Sequence, residues 1–179
     1  KKKIAAPLEQ GGMFFFILLA FARAFLSIRE FYAVENPELF YKLGVSFGYL
    51  GMFALLFYIE RAFTSTKGVI SAFSLAPVIL APFLNEATLR YVVYLALIPG
   101  ILVPSVYLSL AWKLGGKIRN AAMLITFGFF IFAGGLGIDT EFAIANLFGS
   151  YRELAHLIAA LVATIGISVI FMGYAYSRK

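Results

Sequence analysis

Apolar residues run along this chain in long blocks rather than at alternating or helical-stripe positions, and short polar connections separate them. A helix needs about 20 mostly apolar residues to cross the hydrocarbon layer of a bilayer, within a range of about 17 to 25. Six segments approach that length: Gly12–Tyr32, Leu39–Ile59, Val69–Leu84, Leu89–Trp112, Ile118–Ile138 and Leu154–Tyr176. The pattern predicts an all-α fold, a polytopic bundle of six transmembrane helices in a single domain over residues 1–179. The third segment is short. The run beginning at Met13 is long enough to span and is expected to be a retained helix rather than a cleaved signal.

Basic residues give the expected orientation, because Lys and Arg accumulate in cytoplasmic connections. With the N-terminus inside, the cytoplasmic side receives Lys1, Lys2, Lys3, Arg61, Lys67, Lys113, Lys117, Arg119, Arg178 and Lys179. The outer side receives only Arg29, Lys42, Arg90 and Arg152, and Arg23 lies within the first span. Both termini are therefore expected in the cytoplasm of a multi-pass protein of the cell membrane.

Composition agrees with this reading. Hydrophobic residues make up 62% of the 179 and charged residues only 13%, against about 25% charged in an ordinary soluble domain. The formal charge of +6 follows from the placement of Lys and Arg around the spans, so no nucleic-acid partner is expected. The absence of cysteine removes thiolate catalysis, disulfides and zinc–thiolate or iron–sulfur sites. No zinc-protease, nucleophile-elbow or phosphate-loop motif is present, and no pair of mid-membrane carboxylates. The chain is expected to be neither an enzyme nor the carrier of a cofactor or metal. Expected partners are the lipid bilayer and another membrane protein or a second copy of the chain.

Small residues point to helix packing. Gly44, Gly48 and Gly51 share one side of the second span, and Gly44-Val45-Ser46-Phe47-Gly48 is a GxxxG that permits close backbone approach. Gly128 and Gly134, with Gly135 and Gly137, offer the same in the fifth. Prolines mark the third and fourth spans: Pro77 and Pro82, then Pro99 and Pro104, each pair five residues apart. A proline removes a backbone donor and excludes the carbonyl one turn back, so kinks are expected, and counting from the connecting loop puts Pro77 and Pro99 near mid-membrane.

Charge at membrane depth is costly and should face the bundle interior or a polar cavity. Arg23 is the clearest case, and with Arg29 and Glu30 it forms a polar track on the first helix. The candidate ligand or polar cavity is accordingly Arg23, Arg29 and Glu30, bounded by the kinks at Pro77 and Pro99, with hydroxyls from Tyr94 and Tyr107. The single histidine, His156, is expected at the outer interface beside Arg152 or Glu153. Asp139 is expected to cap a short amphipathic segment, Glu141 to Phe148, rather than to ligate a cation.

The arrangement Arg23, Arg29-Glu30, then Tyr41-Lys42-Leu43-Gly44 leading to Tyr58-Ile59-Glu60-Arg61, then Gly116-Lys117-Ile118-Arg119-Asn120-Ala121-Ala122 with Gly128 and Gly134 beyond, resembles uncharacterised archaeal multi-span proteins similar to the membrane input modules of sensor kinases. That resemblance implies a sensor-like input module, although such modules usually have seven spans and a cytoplasmic output domain. Size, six spans and inside termini also resemble the substrate-binding subunits of energy-coupling-factor vitamin transporters. A structural, accessory subunit of a larger membrane complex is the third expectation.

Overall fold

The computed structural model of the protein describes residues 2–32, 35–63, 68–140 and 143–178. Among these the chain is helical, without strands: α1 (Lys2–Phe31), α2 (Pro37–Phe63), α3 (Val69–Phe73), α4 (Ala76–Leu80), α5 (Glu86–Ala96), a 3-10 turn (Ile98–Ile101), α6 (Leu102–Lys113), α7 (Gly116–Ile138), a π-helical turn (Ile144–Phe148) and α8 (Arg152–Arg178). Four helices among the described residues are long and apolar enough to cross a membrane: the stretches Gln10–Phe31, Pro37–Arg61, Gly116–Ile138 and Arg152–Ser177. The chain divides into two compact units, Lys1–Leu102 and Val103–Lys179.

The third and fourth expected spans are not continuous helices. Val69–Leu84 holds two five-residue helices, and Leu89–Trp112 is split among α5, the 3-10 turn and α6. Proline accounts for both breaks. A proline ring clashes with the carbonyl four residues earlier, which is Phe73 for Pro77, and Pro99 has no N–H with which to continue α5. In each case the chain tightens just there, with Ser74 N–H donating to the Ser71 carbonyl (3.0 Å) and Gly100 N–H to the Leu97 carbonyl (2.8 Å). Pro37 and Pro104 sit in the first turn of α2 and α6, where a missing N–H costs little.

In the first unit α1 and α2 form an antiparallel hairpin. A methyl group added at Gly44 would lie 2.7 Å from Leu26 Cγ, one at Gly51 3.1 Å from the Phe15 carbonyl, and one at Gly48 3.6 Å from Ala22 Cβ. Aromatic rings fill the half of this seam that holds the end of α1 and the start of α2, Phe25 packing with Phe47 (5.4 Å) and Phe40 (6.3 Å). Against α2 rests a core of Val45, Tyr49, Ala81, Leu89 and Ala96. Tyr49 donates its hydroxyl to the Val93 carbonyl at 2.5 Å, supplying a second partner to a backbone group just before the Pro99 break. Such groups need internal partners in lipid.

The second unit is a tighter hairpin. A methyl group at Gly166 would lie 2.4 Å from the Phe132 nitrogen, at Gly135 2.6 Å from the Ala163 nitrogen, at Gly128 2.8 Å from the Gly166 carbonyl, and at Gly173 3.0 Å from the Ala121 carbonyl. Gly128 and Gly135 are seven residues apart, as are Gly166 and Gly173. The seven-residue spacing keeps one seam facing the partner helix along its length, and absent side chains let the two backbones meet. Gly134, by contrast, is exposed and has no neighbour within 4 Å of where a methyl would stand. It lies about 100° around the helix from Gly135, so the packing role expected of it belongs to Gly135.

Candidate functional site

Three helix ends converge at one end of the first unit: the C-terminus of α1 and the N-termini of α2 and α5. Asn36 accepts the Leu39 N–H (3.2 Å) at the start of α2, and Asn85 accepts the Thr88 N–H (2.9 Å) at the start of α5, both side chains satisfying donors that a helix start leaves open. This capping puts Glu86 in the first turn of α5 and Arg90 one turn on. One oxygen of Glu86, Oε1, accepts from Nη2 of Arg29 on α1 at 2.5 Å and from Nη2 of Arg90. The Arg29 guanidinium also stands 4.9 Å from the centre of the Tyr41 ring, and that of Arg90 5.8 Å. Cations over a ring face are attracted by its quadrupole. Beside them Lys42 pairs with Glu38 at 2.8 Å.

The trio is only partly covered, with side chains 24% (Arg29), 28% (Arg90) and 22% (Glu86) exposed. Two permanent cations thus share one carboxylate at a partly solvated surface, under a tyrosine ring.

A second carboxylate works differently. Glu60, near the far end of α2, is 1% exposed. Its Oε1 accepts the Ile70 N–H (3.0 Å) and its Oε2 the Ser71 N–H (2.6 Å). Ser71 and Ser74, both buried, donate their hydroxyls to the carbonyls of Gly68 (3.0 Å) and Ser71 (2.6 Å). Glu60 therefore closes the start of α3 onto α2. In the sequence Glu60 directly follows the expected second span, Leu39–Ile59. The available signal was a carboxylate at the end of an apolar span, followed within a few residues by Gly68, Ser71 and Ser74.

Of the residues expected to form a cavity, Arg29 pairs with Glu86 rather than extending a track along α1, and Glu30 beside it is exposed. Arg23 is half-buried. Pro77 is buried, and the side chain of Pro99 lies outside the described residues. Tyr94 is exposed. Tyr107 belongs to the second unit, buried against Phe129 with its hydroxyl 2.6 Å from that of Tyr174.

At one end of the second unit, His156 Nδ1 lies 2.7 Å from Asp139 Oδ1, tying the start of α8 to the end of α7. The histidine had been expected to bond Arg152 or Glu153. Asp139 sits at the C-terminal cap of α7, and the hydroxyl of the neighbouring Thr140 accepts the Ala143 N–H at 3.2 Å. Glu141, at the start of the expected amphipathic segment, lies outside the described residues.

Comparison with protein-family models, curated proteins and solved structures finds no match. What the fold defines is a class: among the described residues, an all-α protein with four helices able by length and composition to cross a membrane.

Proposed function

We infer that the protein is a non-catalytic, multi-pass module of the cell membrane, with both termini cytoplasmic, acting as a sensor-like input or accessory component. The observation that carries the reading is the shared Glu86 carboxylate. It joins α1 to α5 at a partly exposed end, and α5 leads from there to the Pro99 break beside Met52, whose Cε lies 3.1 Å from where a methyl on Gly100 would stand. Whatever competes for Arg29 or Arg90 at that end alters how α5 is held. A helix interrupted inside the membrane is a movable joint.

Six passes remain the preferred count. The third segment is bonded near Glu60 at its start and leads to Glu86 and Arg29, beside Tyr41, at its finish. Tyr41 and Glu60 are separated along α2 by about 28 Å at about 1.5 Å per residue, close to the roughly 30 Å hydrocarbon thickness. The segment thus travels most of the length of a spanning helix, although its helical part, Val69–Leu80, accounts for only about 18 Å by the same rise. Orientation rests on the ten-to-four division of basic residues. Cysteines introduced at Gly115 and Asn36 test it: labelling of Gly115→Cys only from the cytoplasm and of Asn36→Cys only from outside is expected, and the reverse pattern overturns the orientation.

The role is tested by gentle affinity purification with mass spectrometry of proteins and small molecules. Co-purification of a kinase or transducer supports the input reading. The mid-depth break at Pro99 favours a second reading, a small-molecule-binding transporter subunit, since interrupted helices near the midplane build many transporter sites; a coupling ATPase with a retained small molecule supports it. Recovery as a stoichiometric subunit of a larger complex supports the accessory role and overturns the other two.

A further inference from the structure

Glu86 is held the way an arginine pair holds an oxyanion, and the chain itself therefore displays the geometry of a ligand. Two guanidiniums from different helices, Arg29 on α1 and Arg90 on α5, converge on a single oxygen atom. Guanidinium groups present a planar fork suited to two oxygens, and here two forks share one. We propose that Arg29 and Arg90 form an anion site for a phosphate group, either a free phosphate or the phosphate of a lipid headgroup, with Glu86 as the built-in competitor that a bound phosphate displaces. The inference rests on the input-module reading, for which it supplies the chemical class of the signal.

Three observations carry it. The first is charge: within the trio two guanidiniums converge on one carboxylate oxygen, and phosphate delivers more charge and more acceptor oxygens than a carboxylate. The second is access. All three side chains are 22–28% exposed, and an ion pair in contact with water is only marginally favourable, so the competitor is displaceable. The third is setting. Tyr32 and Tyr91, both exposed, lie three residues beyond Arg29 and one beyond Arg90, and tyrosines of this kind gather at the headgroup level of membranes. Acidic neighbours oppose binding. Glu38 is engaged by Lys42, whereas Glu30 and Glu35 are exposed and repel a phosphate over distances that salt screens beyond about 8 to 10 Å. The site therefore prefers phosphate in direct contact with the two arginines.

The experiment uses the full chain in a neutral detergent, with inorganic phosphate as the probe and chloride at matched ionic strength as the control. Wild type is expected to bind phosphate. Arg29→Leu and Arg90→Leu are expected to lose binding, and Arg29→Lys to retain part of it through charge without the fork. Glu86→Gln removes the competitor and is expected to tighten binding about fivefold, a gain that a purely structural salt bridge does not produce. Should Glu86→Gln fail to fold, Glu30→Gln, exposed and outside the trio, is expected to tighten binding more modestly. In a second arm, phosphatidylglycerol retained by wild type and released by Arg29→Leu, with uncharged diacylglycerol retained by neither, identifies a headgroup as the source; tightening by Glu86→Gln with inorganic phosphate alone identifies a soluble ligand. Phosphate affinity unchanged in both leucine variants, or no tightening in a folded Glu86→Gln or Glu30→Gln protein, overturns the site. Phosphate binding without any kinase or transducer partner overturns the input reading and leaves the site standing.

Discussion

The two units solve the problem of holding helices together in lipid by different means. In the second unit α7 and α8 meet backbone to backbone, with Gly128, Gly135, Gly166 and Gly173 providing the room. In the first, α1 and α2 are held in part by aromatic rings, and the broken third and fourth segments are secured by polar contacts: Glu60 to two backbone amides, Tyr49 to the Val93 carbonyl, and Glu86 to two arginines. Lipid tails are as apolar as leucine side chains, so burial alone does not bring membrane helices together. Close packing serves where two helices are long and regular. Where prolines shorten the helices and free carbonyls, directional bonds take over, and directional bonds can be exchanged.

The comparison breaks most sharply at Glu60. Glu60→Ala takes the charged acceptor from the part-buried Ile70 amide and the buried Ser71 amide, at an expected cost of about 3 to 5 kcal/mol, measured as loss of thermal stability in detergent. A cysteine at Ser74, which is inaccessible in the native chain, should become reactive in this variant. Persistent protection would show that apolar contacts alone retain the segment.

In the second unit the equivalent strike is Gly166→Ala. Its methyl would stand 2.4 Å from the Phe132 nitrogen, so α7 and α8 must separate, with an expected loss of about 3 kcal/mol, at the top of the range for overpacking. Gly134→Ala is the matched control, since nothing lies near it; a change of no more than about 1 kcal/mol, toward greater stability, follows from helix propensity alone. Equal losses in the two variants would refute the assignment of the seam to Gly128, Gly135, Gly166 and Gly173.

Tyr49→Phe removes a single hydroxyl whose acceptor already takes the Leu97 N–H at 3.1 Å, and about 1 kcal/mol is expected. Smallest of all should be Glu86→Gln in the absence of phosphate. A partly exposed ion pair contributes about 0 to 1 kcal/mol, and a loss several times larger would mean that the trio is a structural clamp rather than an exchangeable contact.

Much of this architecture was readable along the chain. Apolar block length marks six segments, four of which are long helices among the described residues, since a helix satisfies its own backbone and length decides whether it can span. Proline position marks both interruptions, because the ring's clash and the missing N–H act at fixed positions. Gly44, Gly51 and Gly128 lie in helix seams, but their partners are set by which faces meet, and a one-residue difference in rotation separates the packed Gly135 from the open Gly134. The polar contacts lay further from view. Arg29 and Glu30 are neighbours in sequence, yet Arg29 reaches Glu86 across 57 positions, and nothing local distinguishes the acid that will pair from the one left exposed. Glu60 looked like a boundary residue until the chain folded back and offered it two amides. Composition and periodicity determine which segments avoid water and how long they are; which buried charge finds which partner depends on contacts between residues distant in sequence, and only the tertiary structure decides those.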